Sequence, residues 1–190
     1  MNVLMLAPHP FYQPRGTPIA VDLVLKVLSS RGERVDVVTF PEGEDVYYNN
    51  VTLHRTPAFR LVQDIRPGFS IKKLICDVFL AIKAVQLVRA ARYDVVHAGE
   101  EAVFIALLLK KVFGIPYIYD MDSSLVGQLM DKYPKLSIMQ GLLRACEGTA
   151  IKQAKAVIPV CGALATEVQR YSPEQKIVVI PDISLLSQSR

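Results

Sequence analysis

Short apolar runs alternate along this chain with longer stretches of helical periodicity, and few folds accommodate that order. The first run, Val3-Leu4-Met5-Leu6-Ala7, is continuous, the pattern of a strand buried on both faces of a parallel sheet. Further strands are expected at Arg34–Phe40, Val51–Arg55, Asp94–His97, Pro116–Asp120 and Ala156–Val160, with a last candidate at Lys176–Ile180. Helical patterns fall between them at Pro18–Ser30, Ser70–Ala91, Glu100–Phe113, roughly Leu136–Lys155, and Gly162–Arg170. This order predicts an α/β fold, a Rossmann-like, doubly wound parallel sheet with helices on both faces. A length of 190 residues, 51% of them hydrophobic, suffices for one such domain,. Residues 1–180 are its expected extent. Residues 181–190 complete no element and read as the start of an interdomain linker at which the chain is cut.

Sheets of this kind bind ligands beyond the carboxyl ends of their strands, where the strand order reverses. The loop after the first strand, "PHPFYQPRGTPIA", is dense in turn-formers. Thr17 is placed to cap the helix that follows and Pro18 to occupy its first position. Ile19, Leu23, Val24, Val27 and Leu28 then recur at helical spacing. Gly16 therefore sits just ahead of a helix N-terminus, where unpaired N–H groups and the helix dipole favour an anion. The plain alternative is that glycine and proline merely turn the chain. Polar or small residues also follow three later strands, as "AGEE", "MDSSLVGQL" and "CGAL". The expectation is that the loops Pro8–Thr17, His97–Glu101, Met121–Leu125 and Cys161–Leu164 meet in one cleft.

Several chemistries lack their residues. A dinucleotide site needs G-x-G-x-x-G in the first turn, where Gly16 stands alone, and no P-loop motif or G-x-S-x-G elbow occurs,. Cys76, Cys146 and Cys161 are odd in number and widely spaced, with three histidines in the chain; this indicates reduced thiols rather than disulfides or a metal centre. The longest apolar stretch, Ala102–Leu109, is far short of the roughly 20 residues that span a bilayer, and the N-terminus is not a signal peptide. A cytoplasmic location is expected.

The net charge of +4 is unevenly placed. Arg55, Arg60, Arg66, Lys72, Lys73, Lys83, Arg89 and Arg92 face only Asp64 and Asp77 between Arg55 and Arg92. Within this segment Ile71, Leu74, Ile75, Val78, Ile82 and Val85 form a helical stripe expected to pack on the sheet. The basic residues then read either as solvated charge or as a peripheral contact, 55–92, with the anionic inner face of a membrane. Nucleic acid is not indicated, because no aromatic stacking series accompanies the charge.

Three segments carry a family resemblance: "LSSRGERVDVVTF", "YDVVHAGEEAVFIALLLKKVFGIPYIYDMDSSL" and "ACEGTAIKQAKAVIPVCGALATEV". In this order and spacing the chain resembles the N-terminal half of a retaining glycosyltransferase of family 4, the group 1 class with a GT-B fold. The resemblance implies an acceptor-binding domain of an enzyme that moves a sugar, with retention, from a nucleotide-sugar to a sugar, lipid or other hydroxyl acceptor. The nucleotide-sugar is a substrate, and neither cofactor nor metal is implied. The resemblance assigns Gly16 and Thr17 to the donor diphosphate, with Arg15 where the family often has a second glycine. It brings Asp122 and His97 near the reacting groups and His9, Glu100, Asp120, Ser123 and Cys161 into the acceptor cleft.

This chain departs from the family at several of these positions. Asp122 stands where the family often has histidine, Gly99 replaces the second histidine of a pair begun by His97, and Cys161 stands for serine. Bland roles stay open for each: helix capping for Asp122 and Cys161, a structural histidine at a strand end for His97, and the helix dipole for Glu100 and Glu101. Glu147 lies three residues from Arg144 and reads as half of a surface ion pair. The family's donor domain, with its E-x7-E motif, has no counterpart here, so this half is expected to be inactive alone. The alternative is a free-standing, non-catalytic Rossmann-like module for an anion or glycan.

Overall fold

The computed structural model describes residues 1–14, 16–58, 70–133 and 138–181. Arg15, Arg60, Asp64, Arg66 and the linker candidate from 182 onward lie outside them. Six strands form one parallel sheet: β1 (Asn2–Ala7), β2 (Arg34–Thr39), β3 (Val51–Arg55), β4 (Val95–Gly99), β5 (Tyr117–Met121) and β6 (Ala156–Pro159). Their order is β3-β2-β1-β4-β5-β6, so the direction of winding reverses between β1 and β4. Among the described residues six helices accompany them: α1 (Gly16–Ser30), α2 (Ile71–Ala90), α3 (Ala102–Phe113), α4 (Leu125–Lys132), α5 (Gln140–Gln153) and α6 (Gly162–Tyr171).

The continuous apolar run of β1 is buried on both sides, as a central parallel strand requires. Leu4 and Leu6 join Val96, Ala98, Tyr117 and Tyr119 beneath α2, α3 and α5. Val3, Met5 and Ala7 face the other way and pack with Val35, Val37 and the Val21 and Leu25 side chains of α1. Each fully buried side chain of this size contributes about 1.5–3 kcal/mol.

Four expectations need correction. The α2 stripe does not pack on the sheet: Leu74, Ile75, Val78 and Ile82 are 51, 38, 53 and 48% exposed, and of its described side chains only Val85 lies against the core. The buried face is instead Lys73, Cys76, Leu80 and Ala84, whose small members let the helix approach closely and whose lysine meets carboxylates there. Secondly, Lys176–Ile180 runs beside β6 without becoming a strand. Val157 N–H donates to Lys176 (2.9 Å) and Val178 N–H to Val157 (3.1 Å), but Pro159 has no N–H to continue the ladder,. Thirdly, the expected cleft loop after β5 runs into α4, whose cap is Ser124 and not Asp122; Ser124 Oγ accepts from the Gly127 N–H at 3.2 Å. Finally, α1 begins at Gly16, so Thr17 is inside the helix and is not its cap.

Arg55 also has a structural task. Its guanidinium donates to the carbonyls of Phe11 (2.6 Å), Glu42 (2.9 Å) and Glu44 (2.8 Å), fastening the loop after β1 to the loop after β2. Gly43 completes that junction. It holds φ +121°, and a Cβ there would stand 2.3 Å from the Phe11 backbone.

Candidate active-site cleft

The carboxyl ends of β1, β4 and β5 open into a cleft of about 960 Å³. His9, Gly16, Thr17, Glu100, Glu101, Asp122 and Ser123 line it, together with Lys73 and Asp77 from α2. A second, smaller groove of about 480 Å³ is bounded by α1, His97, Asp120, Asp122 and Val160. Gly16 and Asp122 border both. Three of the four expected loops thus converge, through His9 and Gly16, Glu100 and Glu101, and Asp122 and Ser123. Cys161 does not join them: it is exposed, lines neither cavity, and precedes α6 without a side-chain capping bond.

Gly16 has φ +36°, and nothing lies within 4 Å of where its Cβ would be. It opens α1, so its N–H belongs to the first turn, whose donors have no intrahelical acceptor. Thr17 Oγ1 donates to Glu100 Oε1 at 3.3 Å. The threonine therefore ties α1 to the end of β4 instead of capping its own helix.

Glu100 is not a first-turn helix residue. It precedes α3, adopts φ +45°, and its carboxylate bridges two elements: Thr17 of α1 and Lys73 of α2, 2.8 Å away. A non-glycine residue in this region carries strain of about 1–3 kcal/mol, which those contacts offset. Lys73 reaches Glu101 as well, at 2.7 Å. Burial opposes charge on Lys73, but Glu101 and Glu100 outweigh it and hold the ammonium above its ordinary value. Burial likewise opposes ionisation of Glu100, yet Lys73 keeps that carboxyl low. One cation cannot neutralise three carboxylates. Burial, with the charge of Glu100, pushes Glu101 up to about 7, and burial with the charge of Glu101 pushes Asp77 up to about 8. Near neutral pH this wall of the cleft thus mixes an ammonium, a carboxylate and two carboxyls close to their titration points. Such a wall can both accept and donate hydrogen bonds to a polyhydroxylated ligand.

Neither Lys73 nor Asp77 was singled out from sequence. They are four residues apart, on the same face of α2 as Cys76 and Leu80, and that second helical face was the available signal.

His97 lies in the buried part of β4, with Nε2 3.0 Å from Asp120 Oδ2. The carboxylate fixes the ring's orientation toward the smaller groove. Glu147, matched to Arg144 on spacing, is 1% exposed and points inward. It accepts from Leu125 N–H at 2.8 Å and from the Tyr171 hydroxyl at 3.0 Å. It therefore satisfies the start of α4 from α5 and pins the Asp122–Leu125 loop that borders the cleft.

Known proteins give this geometry its context. The chain is similar over 98% of its length to 49% of sucrose-phosphate synthase from Thermosynechococcus elongatus, at 17% identity and a TM-score of 0.70. It also matches, over its whole length, 51% of a UGT transferase from Siraitia grosvenorii in complex with UDP, at 12% identity and a TM-score of 0.56. A UGT of Arabidopsis thaliana complexed with UDP-L-rhamnose matches at 13% identity and a TM-score of 0.57, over 98% of this chain and 53% of that one. The chain thus spans about half the length of these solved enzymes, and they share its fold. No curated protein sequence matches it. The model of Glycosyltransferase Family 4 covers residues 14–182, from the loop before α1 past α6, and the chain belongs to Glycosyltransferase Family 4.

Proposed function

We propose that this domain is the acceptor-binding half of a retaining glycosyltransferase, and that its clefts receive a nucleotide-sugar donor and a hydroxyl acceptor. The observation that carries the reading is the open cradle at Gly16: the first turn of α1 borders both cavities, and among the described residues beyond its chain neighbours nothing lies within 4 Å of the Gly16 Cβ position. Its N–H groups are suited to charge that develops on a departing diphosphate, with Arg15 adjacent in sequence as a cation for the same group. Thr17 holds that turn against Glu100. Asp122 and the His97–Asp120 pair border the groove beside it and serve the reacting groups. His9, Glu100 and Ser123 line the larger cleft that takes the acceptor.

Chemistry at the anomeric carbon proceeds with retention and without a metal, and the remaining donor contacts come from a second domain. Among the described residues no helix is long and apolar enough to cross a membrane. A cytoplasmic location with a peripheral membrane contact belongs to that reading.

The test is Gly16→Val in the full-length protein, assayed for sugar transfer from a panel of UDP-sugars to hydroxyl acceptors. Loss of one well-aimed donor contact costs on the order of 100- to 1000-fold in rate. Beyond its chain neighbours nothing lies within 4 Å of the added Cβ, but φ +36° opposes a β-branched residue, so the thermal midpoint is measured alongside turnover,. Parent-like turnover in a folded Gly16→Val variant returns the loop to a simple turn.

A further inference from the structure

The outer face of α2 and α3 is more apolar than a solvated surface requires. On α2 the side chains Leu74, Val78 and Ile82 are 51, 53 and 48% exposed; on the neighbouring α3, Phe104, Leu108 and Val112 are 38, 50 and 63% exposed. Exposed apolar side chains at i, i+4 and i+8 on two adjacent helices make a contiguous patch, and contiguous patches mark contact sites.

The two helices themselves carry mainly positive charge, whereas the cleft rim that they reach also holds Glu100, Glu101 and Asp131. Both helices carry lysine or arginine, including Lys72, Arg89 and Lys111, and their sole carboxylate is Asp77, which lines the cleft. Leu74 and Phe104 belong to the patch and to the cleft rim at once, so the apolar face runs up to the acceptor opening.

We infer that the α2–α3 face seats this protein on an anionic lipid surface, with its apolar side chains in the headgroup–acyl boundary and its cations on the lipid phosphates. A face of this composition matches an interfacial helix pair, since apolar burial and attraction to anionic lipid act together. The carriers differ from those expected of the basic segment as a whole: Arg55 and Lys73 are engaged internally, and α3 contributes half of the surface. The inference deepens the transferase reading, because docking here sets the cleft mouth against a lipid-borne hydroxyl acceptor. Its test needs no turnover.

The experiment is co-sedimentation of the full-length protein with vesicles of phosphatidylcholine, with and without about 30% phosphatidylglycerol, an anionic content high enough to act on basic residues near the surface. Binding is expected with the anionic vesicles only, and it falls as salt rises from about 0.1 to 1 M, where the screening length shrinks from about 10 to 3 Å. The double variant Val78→Glu/Ile82→Glu is expected to stay in the supernatant with an unchanged thermal midpoint, because both side chains are exposed. Arg89→Gln and Lys111→Gln each lower vesicle affinity about fivefold and give the same reading if the double variant fails to fold. Undiminished sedimentation of these variants overturns the inference. So does equal binding to neutral vesicles, or a self-associated protein that Ile82→Glu converts to monomer without any vesicle binding. Lost transfer with intact sedimentation counts against the transferase reading alone.

Discussion

Removing the Lys73 ammonium is the sharpest probe of how the cleft wall is held. In Lys73→Met the hydrocarbon stem is kept and the charge is lost, so Glu100 and Glu101 lose a cation at 2.8 and 2.7 Å. Breaking a buried pair in this way typically costs about 3–5 kcal/mol, a large part of the roughly 5–15 kcal/mol that holds a domain together. The cost must depend on pH. Glu101 and Asp77 titrate at about 7 and about 8. At pH 5 both hold their protons and only Glu100 is stranded, a loss of about 1–3 kcal/mol. At pH 9 the three carboxylates of the parent are ionised against Lys73, and the variant must either hold them without a counter-charge or take up protons, so the full cost appears. The parent itself follows the same sign: both groups bind protons more tightly folded than unfolded, so its stability is greatest below about pH 4 for this contribution and declines as pH rises through about 8. Urea denaturation of parent and variant at pH 5 and pH 9 measures the difference. A cost that is equal at the two pH values, or below about 1 kcal/mol at pH 9, refutes the account of Lys73 as the counter-charge of this cluster.

Other expectations follow from single contacts. Gly43→Ala places a methyl 2.3 Å from the Phe11 carbonyl at φ +121°; at least about 1–3 kcal/mol of stability is lost, and a parent-like thermal midpoint would contradict the packing described. Gly16→Ala, with nothing within 4 Å of its Cβ, costs only the conformational penalty of about 1–2 kcal/mol in the same melting experiment, and a larger loss would show the cradle to be filled. Glu147→Leu strands the Leu125 N–H and the Tyr171 hydroxyl at about 1–3 kcal/mol for each donor left buried, whereas Glu147→Gln keeps an acceptor and recovers most of it. Equal denaturation midpoints for Leu and Gln at that position would contradict this bracing role.

Much of the sheet was legible because its strands are buried on both sides. A continuous run such as Val3–Ala7 has one comfortable place in a parallel sheet, and the Pro116 and Gly114 breaks mark where β5 starts. Helix faces were harder. On α2 two apolar stripes compete, and the hydrophobic count favours Leu74, Val78 and Ile82 over Cys76, Leu80 and Ala84. Packing chose the smaller residues because α2 lies close above β1 and β2, and because Lys73 finds its carboxylates only from that side. Spacing along a helix cannot reveal a partner that arrives from a loop 27 residues away, as Glu100 does for Lys73. Glu147 is the same case from the opposite side: Arg144 lies within reach in sequence, but the stronger demand comes from unpaired N–H groups at the start of α4, 22 residues away.

These two misreadings share a consequence for the site. The residues with an evident sequence signal, Gly16, His97 and Asp122, border the cavities. The groups that set the position of their loops are buried ones from neighbouring helices, Lys73 from α2 and Glu147 from α5. Glu100 joins the first of these systems to Thr17, and the capped start of α4 joins the second to the Asp122–Leu125 loop. Each cleft loop is therefore braced by a charge inside the domain. If both braces act in this way, Lys73→Met and Glu147→Leu should lose stability additively, because the two systems share no hydrogen bond among the described residues and distant, independent sites add to within about 0.5 kcal/mol.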